Sequence, residues 1–264
     1  MKPLGIIFVF LVIFLYLPLA VVVIFAFNDG SGLSWPLQGL SLRWFALIFA
    51  DESFSLALLN SIKSALIVSV LSVLIALAAA MLFARHRNLA TRTLSGLALL
   101  PAMMPPILIA IALFTAMAYF RVAPGFGMIV LGQLVVTLPF VLTVVGAQLE
   151  RFDLDLEAAS RDLGAHQVQT LRRITFPIIL PTLVGSALLA FAFAFDELLI
   201  TNFTSGTTPT LPLYVFSKLR RGIDPSVNAV ATLLIAAPWL AVLLAMPFIM
   251  ARRTTDKNRR VWSQ

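Results

Sequence analysis

The stretch LGIIFVFLVIFLYLPLAVVVIFAF, residues 4–27, contains no Asp, Glu, Lys or Arg. A helix rises about 1.5 Å per residue, so about 20 apolar residues cross the roughly 30 Å of bilayer hydrocarbon. This run is long enough to do so. It follows Lys2 in the manner of a secretory signal, but it ends at Asn28-Asp29-Gly30 with no small-x-small cleavage site, and an uncleaved first span is expected. The same search, trimmed at Gly, Pro and polar clusters, gives further spans near 64–84, 97–120, 126–149, 182–203 and 227–251.

The composition agrees with that reading. Of 264 residues, 60% are hydrophobic and 12% charged, with a mean hydropathy of +0.99. A water-soluble domain cannot cover its core with so little polar surface. The expectation is a single all-α integral membrane domain over 1–264, a bundle of six transmembrane helices with little room for a soluble domain. There is no cysteine, which excludes disulfides, thiolate metal sites and a cysteine nucleophile.

Six spans put both termini on one side and divide the loops into two sets. Residues 1–3, 85–96, 150–181 and 252–264 carry thirteen bases, from Lys2 to the tail cluster Arg252, Arg253, Lys257, Arg259 and Arg260. Residues 28–63, 121–125 and 204–226 carry six. The excess of bases on cytoplasmic loops places both termini in the cytoplasm. A net charge of +7 is then mainly topological, a basic tail beside anionic lipid, and no nucleic acid is expected. Within the third span the run Pro101-Ala-Met-Met-Pro-Pro106 must bend or break the helix, as a hinge or as a fixed kink.

The longest loop of the basic set, 150–181, reads ERFDLDLEAASRDLGAHQVQTLRRITFPIILP. Asp153 and Asp155 suit the positive end of a helix dipole, Leu156, Ala159 and Leu163 follow on one face, and Gly164 suits the left-handed end. A second short helix, 168–176, stops at Pro177. Such a pair either projects as a knob for a partner's groove or lies on the bilayer surface, and periodicity alone supports both.

The spacing of this loop resembles that of the permeases of ATP-binding-cassette importers, whose pattern is E-A-A, three residues, G, nine residues, then I-x-L-P. Here Gly164 is followed after nine residues by Ile174-Thr-Phe-Pro177, and the triplet positions hold Ala158, Ala159 and Ser160, with Glu157 one place early. The resemblance implies the type I importer permease fold, and it implies that Glu157, Ala158, Ala159, Ser160 and Gly164 couple the chain to a pair of cytoplasmic ATPases. It also implies no nucleotide site here. Gly127 to Gly132 is spaced like a phosphate loop, but Gln133 stands where the lysine belongs and the segment opens a span. No cofactor or metal is expected.

Asp196 and Glu197 are the acids deepest in an apolar stretch, SALLAFAFAFDELLITNF. On a helix entering near Thr182 they lie about 21–23 Å along it. A carboxylate at such depth faces water, a base or a cation. It either lines a path for a cationic solute or pairs with Lys63 at similar depth. The Phe195-Asp-Glu-Leu198 stretch, Thr208-Pro-Thr-Leu-Pro-Leu213 and Arg221-Gly-Ile-Asp-Pro-Ser226 are similar to permeases of spermidine and putrescine importers. That resemblance implies a substrate pathway lined by Asp196 and Glu197, a bacterial inner-membrane location, a second homologous permease, and a periplasmic or lipid-anchored solute-binding protein. An intramembrane enzyme lacks the means, since His86 and His166 fall in loops without a second ligand at metal spacing. A stand-alone carrier would not need the docking loop.

Overall fold

The computed structural model describes residues 2–30, 35–86, 88–222 and 225–237. Among them the regular structure is helical: α1 (Lys2–Ala26), α2 (Arg43–Ala50), α3 (Glu52–Arg85), α4 (Leu89–Met103), α5 (Pro106–Phe120), α6 (Phe126–Glu150), α7 (Leu154–Asp162), α8 (Gln167–Thr170), a π-helical turn (Leu171–Thr175), α9 (Phe176–Phe195), α10 (Leu199–Thr204) and α11 (Leu211–Arg221). A shorter apolar helix, α12, covers Ser226–Ala237. Among the described residues four helices are long and apolar enough to cross a membrane, or five spans are present when the bent pair α4–α5 counts as one. The sixth expected span, 227–251, begins in α12 and passes outside the described residues, as does the basic tail.

The chain falls into two compact units, residues 1–52 with 215–264, and residues 53–214. In the first, α1 has an apolar surface that the chain leaves uncovered from Ile6 to Ile24, as suits a helix solvated by lipid. The segment after it folds into a small knot. Asp29 N–H donates to the Gly39 carbonyl at 3.0 Å and Ser41 N–H to the Phe27 carbonyl at 2.8 Å. The Trp44 indole donates to the Asn28 carbonyl at 2.8 Å, which buries it, while Trp35 stays exposed.

The second unit is built on α3, α6 and α9. Their core joins Ala76 and Ala80 of α3, Val141, Leu142, Val145 and Leu149 of α6, and Ile179, Leu183 and Ala190 of α9. The buried side of α3 is nearly all small, including Ala57, Ser61, Ser64, Ala65, Ser69, Ser72, Ala76 and Ala80. Small residues let helix backbones approach closely, which lipid-embedded helices use because lipid tails are as apolar as leucine.

Several boundaries differ from expectation. The second span starts at Glu52 rather than at residue 64, where Lys63 ends the charge-free run, because the helix carries the Lys63 side chain on its exposed side and the polar residues before it find distant partners. Asn60 donates to the Pro209 carbonyl at 2.9 Å, and Ser61 Oγ accepts from Leu211 N–H at 2.8 Å. The third span is no single helix: α4 and α5 meet at 104° across Met104-Pro105. Each has 15 residues, about 22 Å, which is shorter than the hydrocarbon layer.

The second helix of the 150–181 loop does not stop at Pro177. It runs on from Gln167 to Phe195, 29 residues, through Pro177 and Pro181. The π-turn makes this feasible. Phe176 N–H bonds back to the Leu171 carbonyl, one residue farther than in an α-helix, and so loosens the ladder just where proline removes a donor. The fifth span also ends sooner than residue 203. It stops at Phe195, and residues 196–198 break the helix before α10.

Candidate functional site

Two places in the second unit gather polar groups, and they hold all the residues expected to carry function. The first is the 150–181 loop. Asp153 caps α7 by accepting from Asp155 N–H at 3.0 Å, and Gly164 adopts φ +83° after the helix, a conformation that strains any side chain. The two faces of α7 differ. Inward, Glu157 Oε1 and Oε2 accept from the Arg85 guanidinium at 2.9 and 3.1 Å, and Oε1 also accepts the Thr175 hydroxyl at 2.7 Å. Ser160, buried, shares a 3.0 Å hydrogen bond with Thr170 on α8. Outward lie Ala159, Leu156 and Leu163, with Leu163 89% exposed, and Val168 on α8 is also uncovered. Ala158 is half-buried between the faces.

The five residues expected to meet a partner are therefore divided. Glu157 and Ser160 hold the loop to its own chain, and Ala159 belongs to the open side. Apolar side chains this exposed beside acidic ones make a surface suited to a partner's groove.

The second place is the helix break. Asp196 caps α9 through its backbone, and its side chain is exposed and makes no hydrogen bond or ion pair among the described residues. Glu197 is half-buried and fully engaged. It accepts Ile200 N–H at 2.9 Å and Thr201 N–H at 2.8 Å, and the Thr201 hydroxyl at 2.9 Å. The Thr201 oxygen accepts in turn from the Gln133 side-chain amide of α6 at 3.3 Å. Buried Gln133 thus keeps its Oε1 without a partner. No ion pair joins Lys63 to either acid among the described residues. Neither acid lies inside a helix, so the expectation of two carboxylates along a continuous fifth span is corrected. The break exists because Glu197 gives the first N–H groups of α10 an acceptor of their own, which replaces the carbonyls a continuous helix would offer.

Packing holds α10 in place. A Cβ on Gly132 of α6 would lie 2.6 Å from Ile200 Cγ2, so only glycine lets α10 seat against α6 there. Gly125 N–H also donates to the Thr204 carbonyl at 2.9 Å.

Arg85, Thr175, Gln133 and Thr201 were not singled out from sequence. For Thr201 the usual capping signal is absent, since Glu197 precedes the N-cap, Leu198, and reaches one residue farther than an N-cap side chain does. Arg85 lies 72 residues from Glu157, and nothing local connects them.

Comparison with known proteins adds a lineage to this geometry. The spermidine/putrescine transport system permease protein PotC of Haemophilus influenzae is 32% identical over 88% of this chain and 90% of its own length. The putrescine transport system permease protein PotI of Escherichia coli K12 is 31% identical over 94% and 90% respectively. A crystal structure of a bacterial ABC transporter involved in the import of the acidic polysaccharide alginate contains a chain that superposes with a TM-score of 0.68 at 16% identity, covering 95% of this chain and 96% of that one. At that identity the likeness establishes a shared fold and nothing more. Residues 72–255, which hold both the 150–181 loop and the helix break, match the family described as the binding-protein-dependent transport system inner membrane component, and the chain belongs to that family.

Proposed function

We propose that this chain is one of two permease subunits of an ABC importer, that it forms half of the path for a polyamine such as spermidine or putrescine, and that ATP hydrolysis occurs in partner chains. The observation that carries the reading is the division of α7 into a fastened inner face and an exposed apolar outer face, on a loop with the family's spacing. The outer face, with Gly164 turning the chain away beneath it, seats in the cleft of a cytoplasmic ATPase. The polyamine assignment is supported by relatives that carry that substrate in their names.

Asp196 supplies the chemistry. Its carboxylate is uncommitted at the break, whereas that of Glu197 is used by α10, so Asp196 lines the path and Glu197 shapes it. A carboxylate in a narrow passage offsets part of the desolvation cost of a multivalent cation. In this reading the chain has six spans, the third made from α4 and α5 and the sixth continuing from α12. Both termini face the cytoplasm, in accord with thirteen bases on one set of loops against six on the other. A second permease and a solute-binding protein complete the assembly, in the inner membrane of a bacterium.

Reconstitution tests this. In proteoliposomes holding this chain, a second permease, the ATPase and the binding protein, spermidine uptake depends on ATP. Asp196→Asn lowers it about tenfold, equivalent to roughly 1.4 kcal/mol, while the subunits still copurify. Uptake by the chain alone without any ATPase would sink the importer reading, and full uptake by Asp196→Asn would remove the charged lining.

A further inference from the structure

One carboxylate serves three helices. Glu157 receives Arg85, the last residue of α3, and Thr175, the last residue of the π-turn that leads into α9. Its side chain is 12% exposed and that of Arg85 29%, so the pair is screened less than an open surface pair. Among the described residues the neighbouring cation Arg161 bonds the Glu157 backbone carbonyl, at 3.3 Å, and not its carboxylate. The Ser160–Thr170 hydrogen bond ties α7 to the same continuous helix one turn earlier.

Where the two bonded helices lead gives the contact its meaning. From Arg85, α3 runs to its opposite end, where Asn60 and Ser61 hold the chain at Pro209 and Leu211, shortly after α10. From Thr175, α9 runs to Phe195 and the break at Asp196. Midway, the Ser69 hydroxyl donates to the Ala187 carbonyl at 2.6 Å and braces α3 against α9. The Glu157 contact thus joins α7 at one point to α3 and α9, one of which ends at the break and the other of which holds the chain shortly after α10. The bond to Arg85 is a charge-assisted one, stronger than a neutral hydrogen bond. The contact meets α9 at a π-turn, where a helix accommodates a shift in its ladder.

We infer that Arg85, acting through Glu157 with Thr175, is the positioning joint that carries movement of α7 to the helix break at 196–198. The inference rests on the reading of α7 as the helix that docks the ATPase. Arg85 acts through the Glu157 carboxylate it holds, and so by position.

The experiment uses the full reconstituted importer and measures spermidine uptake and phosphate release together, giving solute moved per ATP hydrolysed. Arg85→Met lowers that ratio about fivefold, and Glu157→Arg does the same. Arg85→Glu combined with Glu157→Arg brings it back to within about twofold of the parent. A merely structural defect reduces the amount of complex, and both rates with it, and leaves the ratio alone. An unchanged ratio in Arg85→Met overturns the joint, as does a double variant no better than the single ones. The absence of native cysteine allows a separate control, Leu163→Cys carrying a benzophenone maleimide. If it captures the ATPase while Arg85→Met keeps its ratio, only the joint fails. If it captures nothing, the docking reading fails and the joint fails with it.

Discussion

Glu157 and Glu197 are the same residue type, both partly buried beside short helices, yet they do opposite kinds of work. Glu157 is held by a cation 72 residues away and a hydroxyl 18 residues away, so it joins elements the chain brings together only on folding. Glu197 is held within four residues, by two backbone N–H groups and one hydroxyl, with no cation paired to it among the described residues. An acid neutralised by a base ties; an acid satisfied by a helix start shapes. The second kind explains why Asp196, and not its neighbour, has a carboxylate to spare.

If that contrast is right, the local acid matters more to stability. Glu197→Leu leaves the Ile200 and Thr201 N–H groups and the Thr201 hydroxyl without their acceptor, at roughly 1–3 kcal/mol per buried group, and about 3 kcal/mol or more is expected in total. Thermal unfolding of the purified chain in detergent measures this. A loss below about 1 kcal/mol would mean that α10 does not depend on its acid.

Next comes the seat of α10. Gly132→Ala forces a methyl group against Ile200 and costs about 2 kcal/mol, and pairing it with Ile200→Ala costs less than the two single changes summed. Simple additivity in the double-mutant cycle would show that α10 is positioned elsewhere.

The smallest effect belongs to the tie. Glu157→Leu costs about 1 kcal/mol, because Arg85 is exposed enough to turn toward water and the buried Thr175 hydroxyl can turn to a carbonyl of its own preceding helical turn, and the deficit shrinks in about 1 M salt. A loss as large as that of Glu197→Leu, insensitive to salt, would erase the distinction between the two acids. The same Glu157 substitution should nonetheless disturb transport more than stability, since its partners lie on two braced helices.

The apolar spans were legible because crossing a bilayer imposes a length on each stretch separately. The first and fourth came within a few residues of α1 and α6. The Pro101–Pro106 run was legible as a break because proline acts on its own turn, though its 104° angle was not. The first helix of the 150–181 loop was legible from its caps at Asp153 and Gly164. The start of α3 was missed because Lys63 ended the charge-free run, whereas the helix carries that side chain exposed and extends back through Asn60 and Ser61, whose partners lie at 209–211. The passage of the helix through Pro177 was missed because a π-turn leaves no mark in residue type.

Taken alone, the sequence determined that this chain lives in lipid, where its apolar runs lie, which loops collect bases, and which loop has the form of a partner's docking site. Each of these depends on residues close together in the chain. Only the tertiary structure decided that Arg85 answers Glu157, that the fifth span stops at Phe195, and which of two adjacent acids is left free. The physical reason is that a polar group away from water must find a partner wherever folding brings one. For Glu197 the partners were four residues on, and for Glu157 they were on two other helices.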